Sequence, residues 1–308
     1  MNPLTFDQIC RKLDVSPSEL PSLCLDQFLS FETGFRPAQP DEREKHLVHV
    51  LERLHEKKNA RSVQENKAAF EQGWHENYLL CCAHGLSWES LRPKYVKPFG
   101  IMRYEGDYVV PENPLLADDL LSLYAMILFW KHLGEAETIF EFGCGTGRYV
   151  YALSQLFPEK TVVGADWTEA SFKILRLMAE EGRRIAPIIF DMLAPPLQAK
   201  LPPNSAVVTI GAMEQLGGQW EPFLHFLLEN RPRVVLHLEP VLEFYTMDKV
   251  FDYLAMLYHR KRGYLNGYWP ALQARAAKGD IEILAQRRLG SGDPYHESSS
   301  LIIWKPLP

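Results

Sequence analysis

The sequence is poor in the features that most directly announce a function. Its five cysteines (Cys10, Cys24, Cys81, Cys82, Cys144) form no C-x-x-C pair and have no zinc-type histidine spacing. Neither a disulfide framework nor a metal site is therefore expected, and reduced thiols in a cytoplasmic protein are the expectation. The longest uninterrupted apolar run, Leu123 to Trp130, falls far below the ~20 residues of a membrane helix. Met1 to Asp7 has neither a basic nor an apolar stretch, so no secretory leader is expected. Positive charge is also short: 33 basic against 39 acidic residues leave a net charge of −6. That balance gives no general field to hold a polyanion, which argues against nucleic acid as a partner. Internal repeats and low-complexity tracts are missing.

What remains is ordinary globular material, 308 residues with 46% hydrophobic and 23% charged side chains. That is enough for one elaborated core or two domains. The character changes near Pro111 to Pro114. Before it, charged helical patterns run over 5–13, 41–57 and 62–82, with a short hairpin at 101–104 and 107–110. This predicts an N-terminal helical cap over 1–112. Leu115 to Leu133 reads as a helix apolar on most faces, hence buried on both sides. Strands are then predicted at 138–142, 161–165, 185–190, 206–209 and 234–238, and helices at 149–157, 169–181, 221–229 and 247–261. A closing pair follows at 281–286 and 299–304. Alternating strands and crossover helices predict an α/β domain over 113–308, a mostly parallel seven-stranded sheet with helices on both faces. The closing pair implies one antiparallel strand added at the edge.

Phe140-Glu-Phe-Gly143-Cys-Gly145-Thr-Gly147 follows the first of these strands and opens a helix. Glycines there allow a ligand to lie against the main chain at a helix N-terminus. The spacing differs from the dinucleotide G-x-G-x-x-G, because Arg148 occupies the third glycine's place, and Glu141 would repel a pyrophosphate. Asp166 ends the second strand and Asp191 the third, each 25 residues beyond the previous acid. Three carboxylates at successive strand ends line one crevice, where ligands of open α/β sheets bind. A nucleoside-bearing ligand that is neutral or cationic fits such a crevice.

Glu141-Phe-Gly-Cys-Gly-Thr-Gly147, Gly164-Ala-Asp166 and Phe190-Asp191 together resemble the motifs of the class I, Rossmann-like methyltransferases that use S-adenosyl-L-methionine. The resemblance covers about residues 115–308. It implies that Glu141 holds the methionine end, that Gly143, Cys144, Gly145 and Gly147 back the cofactor, that Asp166 takes the ribose, and that Asp191 takes the adenine amino group. Trp167 and Met192, next to these acids, join the cofactor-binding set. A vaguer likeness, through Gly73-Trp-His-Glu-Asn77, Met213-Glu-Gln-Leu216, His237-Leu-Glu-Pro240 and Tyr295-His-Glu297, is to methyltransferase-like proteins of polysaccharide and natural-product biosynthesis.

Chemistry is expected at the later strand ends, where Glu214, His237 and Glu239 are candidates to orient or deprotonate an acceptor. The segment after the fourth strand, Thr209-Ile-Gly-Ala212, lacks the Asn/Asp-Pro-Pro-aromatic pattern of nucleobase and protein-amide methyltransferases. A small-molecule acceptor is thus the leading expectation. Two alternatives use the same crevice: a cyclase or lyase that releases methylthioadenosine, of the azetidine-2-carboxylate synthase type, and a non-catalytic cofactor-binding partner subunit. For the latter, the cap or Leu115–Leu133 would supply an interface, which also admits a homodimer. Cys144 reads as a packing residue.

Overall fold

The computed structural model describes residues 2–56 and 63–307. Its N-terminal part runs β1 (Asn2–Pro3), α1 (Phe6–Lys12), α2 (Ser22–Leu29), β2 (Gly34–Pro37), α3 (Pro40–His55), α4 (Val63–His84), β3 (Met102–Tyr104) and β4 (Asp107–Pro111). Thr5 starts α1 by accepting from the Gln8 N–H, while the Gln8 side chain returns a bond to the Thr5 N–H, a reciprocal cap. Lys57 and Ser62, the expected ends of two helices, lie outside the described residues.

The rest runs α5 (Leu116–Leu133), β5 (Thr138–Phe142), α6 (Arg148–Leu156), β6 (Thr161–Asp166), α7 (Glu169–Glu180), β7 (Ile185–Ile189) and β8 (Ser205–Ile210). It continues with α8 (Glu221–Asn230), β9 (Val234–Glu239), α9 (Val250–Arg262), α10 (Tyr268–Ala277), β10 (Ile281–Arg288), β11 (Ser291–Gly292) and β12 (Ser300–Pro306). The main sheet has seven strands in the order β10-β12-β9-β8-β5-β6-β7. The five from β7 to β9 are mutually parallel, and β12 is antiparallel to both of its neighbours. The fold is Rossmann-like. One expectation needs correcting: the antiparallel strand is inserted between β9 and β10 instead of sitting at the edge. Trp304 and Ile303 on β12 are fully buried there, which an edge strand would not achieve.

Side chains alternate across this sheet as the strand period requires. Ile139, Val162, Val208 and Leu236 face α5, α6 and α7 in one core, whereas Phe140, Phe142, Val163, Val207 and Val235 face α8 and α10 in the other. Fully burying each such side chain stabilises by roughly 1.5–3 kcal/mol. Helix α5 is buried along most of its length, so most of the Leu115–Leu133 segment packs into this chain's own core.

The first 112 residues hold more than helices. A small sheet, ordered β1-β2-β4-β3-β11, takes its last strand from the C-terminal region. Burial is continuous across the join, with Leu4, Ile9, Leu91 and Met102 in the same core as α5 and β5.

Candidate functional site

The chain leaves β5, builds β6 and β7 on one side, then crosses to β8 on the other. The strand order reverses between β5 and β8, and such a switch point opens a crevice at the carboxyl ends of the strands. The glycine loop fills one lip of it. Gly143, Gly145 and Gly147 all have positive φ, at 69°, 54° and 72°. At Gly143 a side chain is excluded twice over, since a Cβ would stand 2.4 Å from the Cβ of Ala212. The loop and the turn after β8 are therefore in direct contact. At Gly145 a Cβ would meet the Trp74 indole at 3.0 Å. Helix α4 thus lays Trp74 over the loop, with Phe70 stacked behind it at 5.5 Å.

Glu141 lies under this loop, buried, with its Oε2 lacking any partner. Burial, and then the nearby Asp166 charge, pushes its carboxyl well above the ordinary range; a bond from the Val150 N–H offsets only part of this. An unpaired buried carboxylate oxygen costs about 1–3 kcal/mol or more, so this site is built for a donor that the chain itself does not supply.

Asp166, expected at the ribose, is engaged by its own loop. Its Oδ2 accepts from the Gly145 N–H at 2.9 Å, and its Oδ1 from the N–H and hydroxyl of Thr168 at 2.9 and 2.7 Å. The carboxylate is buried and turned back into the loop. It acts as the brace that fixes the glycine turn, and Thr168, not Asp166, caps α7. Asp191 and Met192 are both part-buried, and the Met192 methyl lies against the glycine loop, 3.3 Å from where a Cβ on Gly143 would stand. Asp191 Oδ1 accepts from the Leu193 N–H at 2.9 Å. Trp167 is half-buried next to Lys67. Cys144 is a buried packing residue beside Ser171, its thiol pushed well up by burial and then by Asp166. Arg148 is buried in a bidentate bond with Asp118 at 2.9 and 2.8 Å and stacks on Trp88.

The three acceptor-side candidates separate. His237 is fully buried in the sheet. Its Nδ1 meets Thr209 Oγ1 at 2.8 Å, and its Nε2 meets the Tyr268 hydroxyl at 2.8 Å and Trp304 Nε1 at 3.1 Å. Burial lowers it to about 3, so it is a neutral, satisfied core histidine and the expectation of a general base is withdrawn. Glu239 is also buried, and both oxygens hold the turn after β8: Oε1 accepts from the Ala212 N–H at 3.0 Å and Oε2 from the Glu214 N–H at 3.2 Å. Burial and then Glu214 raise it to about 7. It positions that turn without reaching the crevice. Glu214 alone is half-exposed. Burial raises its carboxyl, against the pull of His296 and Arg262.

The Tyr295-His296-Glu297 segment, noted above only for a vague likeness, lies in a packed part of the fold. His296 and Glu297 are buried, and Glu297 binds Arg288. Glu71 on α4, not singled out by the sequence, accepts from the Glu169 and Ala170 N–H groups at the start of α7. A lone glutamate on a charged helix carries no pattern that would flag it. A surface hollow of about 210 Å³ beside Phe251 lies apart from the crevice, and its carboxylates are already paired: Asp252 and Glu297 with Arg288, Glu105 with Lys12.

Among the described residues no group of His, Cys, Asp and Glu has the arrangement of a metal site, and no helix is long and apolar enough to cross a membrane. No protein-family model and no curated protein matches the chain. Solved structures similar to it include the N-methyltransferase NodS from Bradyrhizobium japonicum, at 11% identity over 64% of this chain and 90% of that one, TM-score 0.46. Another is the mitomycin 7-O-methyltransferase MmcR, at 11% identity over 87% and 69%, TM-score 0.45. A third is the methyltransferase domain of a bacterial Hen1, at 17% identity over 61% and 96%, TM-score 0.44.

Proposed function

We propose that the chain binds S-adenosyl-L-methionine along the glycine loop and transfers its methyl group to a small-molecule acceptor. The observation that carries this reading is the buried, partnerless Glu141 Oε2 directly beneath a left-handed glycine turn at the switch point. A cationic amino-acid moiety is the chemistry that satisfies it. In this reading Glu141 holds the methionine end, the main chain at 143–147 lies against the cofactor, and Asp191 with Met192 and Trp167 borders the base. Asp166 contributes by fixing Gly145, and Glu239 by fixing the turn that carries Glu214.

When bound, the cofactor supplies a methyl carbon on a sulfonium, open to in-line displacement by an acceptor lone pair. The protein's part is alignment and proton removal. Glu214, part-buried on the turn against the glycine loop, carries a carboxyl that burial raises above its ordinary value, which makes it a stronger base for that proton. The reading is tested by incubating purified protein with methyl-labelled cofactor and a metabolite extract, then resolving the nucleoside products. Label in an acceptor with equimolar S-adenosylhomocysteine supports it. Methylthioadenosine formed without any acceptor contradicts it.

A further inference from the structure

Within the glycine loop only Gly143 keeps partial exposure, while 144–147 are buried. Part of the cover comes from the N-terminal region. The Trp74 indole lies on Gly145, its Cζ2 3.0 Å and its Cε2 3.3 Å from where a Cβ would stand. Thr146 Oγ1 donates to the Leu91 carbonyl at 2.6 Å. A ligand cannot lie against buried main chain, so ligand and indole exclude each other on this face of Gly145. Glu141 is buried under the same loop with its Oε2 unpartnered, and a donor arriving from solvent meets that oxygen only when a covering element moves.

Helix α4 builds this cover with one face. Lys67, Phe70, Glu71 and Trp74 recur at the i, i+3, i+4, i+7 spacing that sets side chains on one side of a helix. Lys67 Nζ stands 5.7 Å from the centre of the Trp167 ring, and Glu71 accepts from the Glu169 and Ala170 N–H groups at 2.8 and 3.0 Å. Phe70 backs Trp74, which closes Gly145. The helix thus grips both segments that the nucleoside would touch, the glycine loop and the turn after β6. Further along α4, Asn77 is fully buried, and its Nδ2 donates to the Ser90 and Arg92 carbonyls at 2.8 Å each. Between this anchor and the Glu71 grip stands Gly73, part-buried, with nothing packed within 4 Å of where its Cβ would be. A glycine inside a helix weakens it, because its backbone loses the most freedom on folding. The helix is therefore easiest to deform beside Trp74, with Asn77 still in place.

We propose that Trp74 is an autoinhibitory cover: the part of α4 that carries Glu71 and Trp74 lifts off the glycine loop before S-adenosyl-L-methionine binds, and indole and ligand compete for the face of Gly145. This rests on the methyl-transfer reading above and concerns its cofactor step alone. Binding then draws on the open fraction of the protein, and the apparent dissociation constant is the intrinsic one divided by that fraction. Weakening the cover enlarges the open fraction and tightens binding through faster association. Dissociation, which starts with Trp74 already displaced, stays as it is. A side chain that contacted the bound ligand would behave in the opposite way, since its loss would weaken the complex through faster dissociation. One that only stabilised the fold would lower the melting temperature and move neither rate.

The test measures both rates on the full chain with radiolabelled S-adenosylhomocysteine, association by rapid mixing and filtration, dissociation by a chase with unlabelled compound. Trp74→Ala should speed association by about tenfold or more and change dissociation by less than about threefold, so that the complex tightens. Glu71→Gln keeps the indole and loosens the hold on α7; it should speed association by about threefold, and it decides the matter should Trp74→Ala fail to fold. Unchanged association in the deciding variant, or a complex weakened by faster dissociation, overturns the proposal. Calorimetry of S-adenosylhomocysteine on the native protein separates the two levels: binding there with association unchanged in the variant removes the cover alone, whereas failure of the native protein to bind removes the methyl-transfer reading and the cover with it.

Discussion

The Oε2 of Glu239 accepts a hydrogen bond from the main-chain N–H of Glu214 at 3.2 Å, while its Oε1 accepts from that of Ala212 at 3.0 Å. One buried carboxylate at the end of β9 thereby fixes the turn that both touches the glycine loop and presents the exposed acid of the crevice. Burial and then Glu214 keep the Glu239 charge costly.

This relationship has a measurable pH signature. Glu239 is raised from 4.5 to about 7 by burial and then by Glu214. The folded state therefore holds a proton that the unfolded state has released between these values, and the stability this brings is complete below pH 4.5 and lost as pH rises through 7. Glu239→Gln removes that titration. The unfolding free energy of the native protein minus that of Glu239→Gln should fall by about 1.4 kcal/mol per pH unit across the window, roughly 3 kcal/mol in all. Urea titrations at half-unit pH steps measure it, and a difference that does not vary with pH refutes it.

His237 contributes the opposite slope. Burial lowers it from 6.5 to about 3, so its contribution is present above pH 6.5 and lost as pH falls toward 3. Replacing it disturbs three bonding partners and costs stability, but the ionisation that governs catalysis is assigned to Glu214. His237→Asn should lower the melting temperature and leave the apparent pKa of kcat unmoved, while Glu214→Gln should remove the acid limb of the profile. A shift of that limb in the histidine variant contradicts the assignment.

Gly145 combines a φ of 54° with an indole 3.0 Å from where a Cβ would stand. Alanine there must take a left-handed conformation costing about 1–2 kcal/mol and push Trp74 off the loop. Gly145→Ala should destabilise by about 2 kcal/mol and weaken S-adenosylhomocysteine at least tenfold by calorimetry. Retained affinity would show that nothing lies against this turn.

Glu141→Gln separates binding from folding. Removing a buried acid whose charge burial already disfavours should leave the ligand-free protein at least as stable in thermal melts. Loss of a charge-assisted bond to the ligand should weaken S-adenosylhomocysteine roughly 10- to 100-fold. A variant that is destabilised with unchanged affinity would make Glu141 a structural acid only.

The main sheet was legible because its strands are short, β-branched and separated by crossover helices, so their period and spacing determine their type. Less legible were elements whose cause is tertiary. Helix α10 begins Tyr268-Trp269-Pro270, and a proline reads as a breaker although it is tolerated in a first helical turn, where no N–H bond is needed. β11 is two residues long and exists because β3 offers it an edge. The acids at 141, 166 and 191 were visible by spacing, but what each carboxylate accepts was not. Asp166 and Glu239 turn out to brace loops, and His237 lies on the inward face of a strand that carries no sign of which face is wet. The Asp293–His296 pair escaped notice because its packing partners, His259 and Tyr258 on α9, are distant in sequence.

The central claim, that a sulfonium nucleoside lies against the main chain at 143–147, is tested most directly by hydrogen–deuterium exchange of the full chain with and without saturating S-adenosylhomocysteine. The account predicts slowed exchange at 143–147 and at 191–193 together, with the C-terminal edge of the sheet unchanged. Identical exchange at both segments in the presence and absence of the compound would contradict it.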